Sequence, residues 1–186
     1  MTMKKILLSF ISVFFLLSCL AAQDPTFIKG DKVLNLGVGF GSTLYSGSYY
    51  YTQIPPVSAS YEVGVADNIF EKGVLGVGGY AGFSSYKYDY SDSGWKTYDF
   101  ILGARANLHY PLVDKLDTYA GLMLGYGIIS NSYYGTYNED NYSGSYSGLQ
   151  WALFIGGRYY FKENLAAMAE LGYGVAILNI GIAMKF

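Results

Sequence analysis

Four charged side chains lie inside alternating segments of this sequence, on the face opposite the apolar one. They are two carboxylic acids and two guanidinium groups: Glu62, Arg105, Arg158 and Glu170. Groups of opposite charge that share an interior of low dielectric constant form ion pairs, because an unpaired charge there is costly. The set predicts either a structural ion-pair network or the lining of a gated ion path.

The chain contains one cysteine and one histidine, so few side chains could act as nucleophiles or bind a metal ion. These counts exclude zinc clusters, disulfide frameworks and dithiol motifs. We therefore predict no catalytic residues, no metal site and no cofactor.

The overall composition describes a folded chain with an unusual balance of residues. It is 52% hydrophobic, 18% aromatic and 14% charged, with 21 Tyr and 24 Gly. With 12 basic and 14 acidic residues, it lacks the basic surface that tracks a phosphate backbone. Nucleic acid is therefore not a predicted partner.

The first 23 residues have the layout of a secretory signal peptide. Two lysines precede an apolar run over residues 6–20, and small residues follow up to Ala22. The run is shorter than the roughly 20 apolar residues of a membrane-spanning helix. We predict that residues 1–22 are removed. The sequence around Cys19 also resembles a bacterial lipoprotein processing site, which leaves lipidation there as an alternative.

After the signal, apolar and polar residues alternate with period two, which is typical of strands with one apolar face. Between residues 98 and 110 the even positions are apolar or aromatic, and the odd positions include Asp99, Arg105 and His109. One face of such a strand suits lipid and the other does not.

This alternation predicts eight strands. They lie at about residues 33–44, 57–66, 74–86, 98–110, 116–129, 149–161, 165–174 and 176–186. Short connections at 67–73, 111–115 and 162–164 alternate with longer, Tyr-rich ones at 46–56, 87–96 and 129–148. Short turns at one end and long loops at the other are typical of bacterial outer-membrane barrels. The short connection near 172–175 departs from this pattern, so the boundary between the last two strands is the least defined.

The direction of the alternation separates a membrane barrel from a water-soluble one. In a soluble barrel the apolar face turns inward, whereas a hydrocarbon solvent turns it outward. Here the few charges within strands share a face with glycines, as expected of a narrow interior. We predict an all-β, eight-stranded antiparallel up-and-down transmembrane β-barrel over residues 33–186, after a short periplasmic segment at 23–32.

Together these features resemble the small eight-stranded outer-membrane barrels, the OmpX and OmpA transmembrane-domain class. The resemblance covers about residues 30–186 and includes a last strand that ends in Phe186. In that class the barrel-assembly machinery reads the last strand, which implies this machinery as a partner and Phe186 as the assembly signal. It also implies the outer membrane of a Gram-negative bacterium as the location, with its lipid as surroundings. We further predict a monomer.

Depth counted from the short turns places the four lumen charges at about the same height. We expect them to pair as one layer. A structural plug is favoured over an ion path, because an eight-stranded interior is just wide enough for side chains.

Aromatic residues of the long loops are the predicted contact surface for an extracellular ligand of unknown identity, because tyrosine offers rigid amphipathic area. They are Tyr49, Tyr50, Tyr51, Tyr86, Tyr88, Tyr90, Trp95, Tyr133, Tyr134, Tyr137, Tyr142 and Tyr146.

The sequence thus predicts a structural or surface-interaction protein with a plugged lumen. The first alternative is a small porin. The second is a lipid-modifying enzyme, since some similar barrels resemble acyl-modifying enzymes that use histidine near the outer end. His109 lies two residues before Pro111, next to a short turn, which is the wrong end for such a site.

Overall fold

The computed structural model describes residues 26–44, 50–90, 93–135 and 144–186. Within these ranges, no helix is long and apolar enough to cross a membrane. The strands are β1 (Lys32–Phe40), β2 (Tyr50–Ile69), β3 (Gly73–Tyr90), β4 (Ser93–Val113), β5 (Leu116–Tyr134), β6 (Gly144–Lys162), β7 (Leu165–Tyr173) and β8 (Leu178–Lys185).

These eight strands form a closed barrel in which each pairs with its neighbours in sequence. β1 and β8 complete the ring as an antiparallel pair, with Leu36 opposite Ile182. Where all eight strands run side by side, closure removes the free edges of an open sheet, which is the condition for a sheet in hydrocarbon. Toward the other end of the long strands, β1 pairs with β2 only over Val57–Val63, and β7 pairs with β6 only from Leu153. The predicted fold class is confirmed.

Five strands extend well beyond their predicted bounds. β2 to β6 have 18 to 21 residues, whereas β1 and β7 have nine and β8 has eight. Most of the segment predicted as a loop at 87–96 is therefore paired strand, with Lys87 opposite Lys96. Hairpins rich in Tyr, Ser and Thr continue to pair because these residues suit strands outside as well as inside a membrane.

At the barrel seam, where β1 pairs with β8, the predicted strands were longer than the observed ones. β1 ends at Phe40 rather than at residue 44, and β8 begins at Leu178 rather than at 176. Between β7 and β8, Gly174 has a φ of +117°, a conformation that favours glycine. Its carbonyl accepts a hydrogen bond from the backbone N–H of Thr43 at 3.1 Å.

Alternate side chains of every strand face opposite sides of the barrel wall. The outward set is apolar and exposed, with fractions such as 48% for Leu124 and 63% for Ile155. The inward set is buried and contains most of the polar side chains, including Asn35, Ser60 and Asn107. This distribution is the reverse of that in a water-soluble barrel and matches a barrel surrounded by hydrocarbon.

The short connections after β2, β4 and β6 lie at one end of the barrel, here called the short-turn end; the opposite end is the loop end. Residues 26–31, part of the segment predicted to precede the barrel, lie against the short-turn end. The Gly30 N–H donates to the Gly64 carbonyl at 2.9 Å, and the Gly64 N–H donates to the Asp31 carbonyl at 3.0 Å. The side chain of Phe27 is 2% exposed among barrel residues.

Candidate functional site in the barrel lumen

Inward positions on four strands place charged side chains within reach of each other near the short-turn end. Arg158 on β6 is fully buried, and its guanidinium pairs with the carboxylates of Glu62 and Asp117. The distance from Arg158 Nη1 to Asp117 Oδ2 is 3.0 Å. Asn107 adds a hydrogen bond from its Nδ2 to Glu62 Oε1 at 2.8 Å. We call Glu62, Asn107, His109, Asp117 and Arg158 the lower cluster.

His109 joins both carboxylates of the lower cluster. Its Nδ1 lies 2.7 Å from Asp117 Oδ1, and its Nε2 lies 2.7 Å from Glu62 Oε1. A neutral imidazole can donate from one nitrogen only, whereas an imidazolium donates from both. The geometry therefore fits a charged His109, which with Arg158 balances the two carboxylates.

A second ion pair lies closer to the loop end. Arg105 Nη2 is 2.5 Å from Glu170 Oε1, and its Nη1 donates to Ser60 Oγ at 3.3 Å. Glu170 also accepts hydrogen bonds from the Tyr119 hydroxyl at 2.8 Å and from Asn179 Nδ2 at 3.1 Å. We call Ser60, Arg105, Tyr119, Glu170 and Asn179 the upper cluster.

Tyr119 connects the two clusters. While its hydroxyl bonds Glu170, its ring centroid lies 4.7 Å from Arg158 Cζ. Arg105 is similarly placed, with its Cζ 4.1 Å from the centroid of Phe154. Cations over aromatic faces gain electrostatic energy, more so when water is excluded. The four predicted lumen charges thus form two ion pairs at two depths, joined through a tyrosine, rather than the single layer expected.

Apolar side chains lie beyond the clusters at both ends. At the short-turn end, the ring of Phe27 covers His109. Toward the loop end, Val175 from the β7–β8 connection packs with Ile101 and Met123. The charged groups are thereby enclosed between two apolar regions of the lumen.

A small cavity of about 40 Å³ lies beside the upper cluster. Arg105, Glu170 and Asn179 line it together with Tyr80 and Met123. Within the described residues, Arg105 Nε and Asn179 Oδ1 have no hydrogen-bond partner. The cavity is thus polar on one side and apolar on the other.

The lower cluster does not have the geometry of a histidine that activates a nucleophile. Both nitrogens of His109 are held by carboxylates, which leaves neither free to activate a nucleophile. Among the residues that the structure describes, no group of three or more His, Cys, Asp and Glu side chains could hold a metal ion.

The predicted aromatic contact surface is only partly displayed. Tyr51 and Tyr146 are 55% and 56% exposed. The expectation for Tyr86 was wrong, since its side chain is 3% exposed on the inward face. Half-buried members are Tyr88, Trp95, Tyr133 and Tyr134. Outside the described residues or side chains lie Tyr49, Tyr50, Tyr90, Tyr137 and Tyr142.

At the chain terminus, Phe186 is 73% exposed on the outward side. Its backbone N–H donates to the Lys32 carbonyl at 2.9 Å. The residue named as the assembly signal thus lies at the seam between β8 and β1.

Several lumen residues were missed by sequence reasoning. They are Asn107, Asp117, Tyr119, Asn179 and Phe27. All but Phe27 lie on the same strand face as the predicted charges. The alternation of inward and outward positions was therefore the one feature of the sequence that could have identified them. For Phe27, which lies outside the alternating strands, the sequence holds no such signal.

Known proteins resemble this chain in structure, not in sequence. No protein-family model matches the chain, and no curated protein matches it. The N-terminal β-barrel domain of Pseudomonas aeruginosa OprF is similar in structure, with a TM-score of 0.50 at 14% identity, covering 85% of this chain and 98% of that one. The fold is that of the small eight-stranded outer-membrane β-barrels.

Two further solved structures are similar at lower scores. Ail, the attachment invasion locus protein of Yersinia pestis, has a TM-score of 0.48 at 15% identity, covering 85% of this chain and 96% of its own. The outer membrane protein OprG from Pseudomonas aeruginosa has 0.47 at 12%, covering 88% and 99%. At such identities the likeness concerns fold alone.

Proposed function

We propose that this protein is a monomeric scaffold of the bacterial outer membrane, with a lumen closed to ions and long hairpins that contact a ligand outside the cell. The observation that carries the proposal is the pair of buried clusters that cross the lumen. Side chains from β2, β4, β5, β6 and β7 meet in them.

The proposed closure is supported by successive obstructions along the lumen. Phe27 covers the short-turn end, the two clusters follow, and Val175 with Ile101 and Met123 lies beyond them. An eight-stranded barrel has an interior just wide enough for side chains, so each obstruction can span it.

The proposed location is supported by the outward surface. Aromatic side chains occur toward both ends of it: Trp151 and Tyr173 stack at 5.3 Å toward the loop end, and Tyr159 and Phe161 are each 54% exposed near the short turns. Aromatic rings favour the two interfaces of a membrane. With the short turns in the periplasm, as is usual for such barrels, the hairpins point outside.

The proposed contact surface is supported by strand length. A tilted strand crosses the hydrocarbon with about 9–11 residues, whereas β4 has 21. The remaining length of β2 to β6 projects beyond the membrane at the loop end. Strands projecting on one side of the barrel, beside the short β7, β8 and β1, present an exposed sheet that includes Tyr51 and Tyr146.

Planar-bilayer recording tests the scaffold against the porin alternative. The protein, inserted as a folded barrel, should show no steady conductance. A variant that neutralises the predicted set, E62Q/R105M/R158M/E170Q, is the comparison. Large and stable conductance from the unmodified protein, unchanged in this variant, would overturn the proposed closure and support a porin.

A further inference from the structure

Positive charge is distributed very unevenly along the barrel. Of the 12 Lys and Arg residues, only Lys87 and Lys96 belong to the loop end. The others are in the signal, in the lumen or near the short turns: Lys4, Lys5, Lys29, Lys32, Lys72, Arg105, Lys115, Arg158, Lys162 and Lys185. The loop end therefore places both of its cations on a single hairpin.

These two lysines are direct cross-strand neighbours on the outward face. Lys87 is opposite Lys96 in the β3–β4 register, and Lys96 is opposite Ser132 on β5. The adjacent row is inward, as shown by Tyr86, which is buried, and by the hydrogen bond from Thr97 Oγ1 to Asn131 at 2.7 Å. Alternation then directs Lys87 and Lys96 away from the lumen.

Outward rows on β3, β4 and β5 define the depth of this pair. From the barrel middle toward the loop end, the rows are Ala81, Leu102 and Tyr126; Phe83, Phe100 and Ile128; Ser85, Tyr98 and Ser130; and then Lys87, Lys96 and Ser132. Each row lies about 5 Å above the previous one for a strand tilted by roughly 40°. The lysines therefore lie one row beyond Tyr98, at the depth of lipid headgroups, and Tyr134 belongs to the next row toward the loop end.

Like charges directly opposite in a sheet repel and destabilise it. Lys87 Nζ lies 4.7 Å and Lys96 Nζ lies 5.7 Å from the ring centroid of Tyr134, so both ammonium groups make cation–π contacts with the same ring. The carboxylate of Asp89 is 2.9 Å from Lys87 Nζ. Among the described residues of this hairpin, one carboxylate beside two cations leaves a net positive charge at headgroup depth.

We propose that Lys87 and Lys96, which both lie near the Tyr134 ring, bind the phosphate of a glycolipid in the outer leaflet. A phosphate accepts charge-assisted hydrogen bonds from both ammonium groups and removes their repulsion. Lysine stems can lie along the apolar barrel wall while the ammonium groups reach the headgroup layer. This site rests on the proposed membrane location, which sets the loop end in that leaflet.

Native mass spectrometry of the folded full-length mature protein in detergent tests the site. The probes are a bis-phosphorylated acylated disaccharide lipid and the same lipid after removal of its phosphates. The unmodified protein should retain one phosphorylated lipid with a preference of about tenfold or more, given the usual attraction of lysine to anionic lipid. K87Q/K96Q should lose this preference, and K87R/K96R should keep it.

The matched control is K72Q/K115Q, which removes the same charge at the short-turn end. It should keep the full preference. Equal preference in K87Q/K96Q and the unmodified protein overturns the site, and so does an equal loss in K72Q/K115Q, which indicates general attraction. Preference for a soluble sulfated or phosphorylated sugar over the lipid also overturns it, because the ligand is then not a lipid.

The same samples separate this proposal from the proposed location. Gel mobility with and without boiling reports whether each protein is a folded barrel. A chain that stays soluble without detergent contradicts the membrane location. A folded barrel with no phosphate preference contradicts the lysine site alone.

Discussion

The ring of Phe27 stacks on the imidazole of His109, with 4.1 Å between centroids and 26° between planes. Phe27 follows the predicted signal cleavage point by only a few residues, yet it contributes to the interior of the barrel. The segment is held by hydrogen bonds from Gly30 and to Asp31, and Lys185 Nζ donates to the Thr26 carbonyl at 3.0 Å. Residues 26–31 therefore pack as part of the barrel and do not act as a linker.

Phe27→Ala should lower the free energy of unfolding by about 3–5 kcal/mol, the usual cost of deleting a buried phenylalanine ring. Phe27→Leu is the matched control, since it keeps most of the apolar volume and should cost less than about 1.5 kcal/mol. Equilibrium urea unfolding in lipid vesicles measures both. If both variants lost the same small amount of unfolding free energy, Phe27 would not fill the short-turn end of the lumen.

Arg158→Met should destabilise the barrel by about 3–5 kcal/mol, because it leaves the buried carboxylates of Glu62 and Asp117 with His109 as their only cation. Adding E62Q to R158M should recover most of the loss, since His109 then balances Asp117, the one carboxylate that remains in the cluster. The same unfolding measurement applies. A double variant no more stable than R158M would contradict the assignment of the loss to unpaired charge.

Strand alternation carries most of the information that the sequence holds about this fold. It predicted the number and direction of the strands, because the lipid and the narrow lumen impose opposite demands on neighbouring residues. It did not predict where β2 to β6 end, because the pairing of Tyr- and Ser-rich segments continues after the lipid constraint stops. The seam strands β1 and β8 were predicted too long, since the turn at Gly174 depends on contacts with Thr43 from the other side of the seam.

The pairing of side chains in the lumen could not be predicted from the sequence. Parity shows that Glu62, Arg105, Arg158 and Glu170 face inward, but their partners depend on register around the ring. Arg158 and Glu62 are 96 residues apart and meet across the lumen. His109 was assigned to the correct end of the barrel, yet its two carboxylate partners come from β2 and β5. One sequence does not contain the strand stagger that brings them together.

Gly156→Ala should destabilise the barrel, because a Cβ at this inward position comes within 2.7 Å of Tyr119 Cε2 and 2.9 Å of Glu170 Cγ. Gly79→Ala is the matched control, since its Cβ meets nothing within 4 Å. We expect a loss of about 1–3 kcal/mol for the first, as for overpacked cores, and little change for the second. Urea unfolding measures both, and equal stability of the two variants would contradict the tight packing around Tyr119.

Deletion of Phe186 should slow or block assembly into the outer membrane while export continues. Export depends on the predicted signal, whereas closure of the barrel depends on the last strand, where Phe186 also pairs with Lys32 through its backbone. Cell fractionation with a mobility assay measures folded barrel in the membrane and unfolded chain in the periplasm. Phe186→Tyr keeps an aromatic terminus and should assemble normally; normal assembly of the deletion would remove Phe186 as the assembly signal.

Tyr51 and Tyr146 are the exposed aromatic residues by which the contact surface at the loop end can be tested without disturbing its packing. Both are more than half exposed, so Tyr51→Ser with Tyr146→Ser should leave the barrel folded. If the hairpins bind a ligand, loss of these two exposed aromatic side chains should weaken its binding by about tenfold and lower cell adhesion, serum survival or phage sensitivity. The control Y110S/Y159S makes the same change at the short-turn end, facing away from any extracellular ligand, and should leave these readouts unchanged. Unaltered adhesion, survival and phage sensitivity in the Tyr51 and Tyr146 variant would mean that these two residues do not contribute to recognition, and the hairpins would then be simple extensions of the barrel.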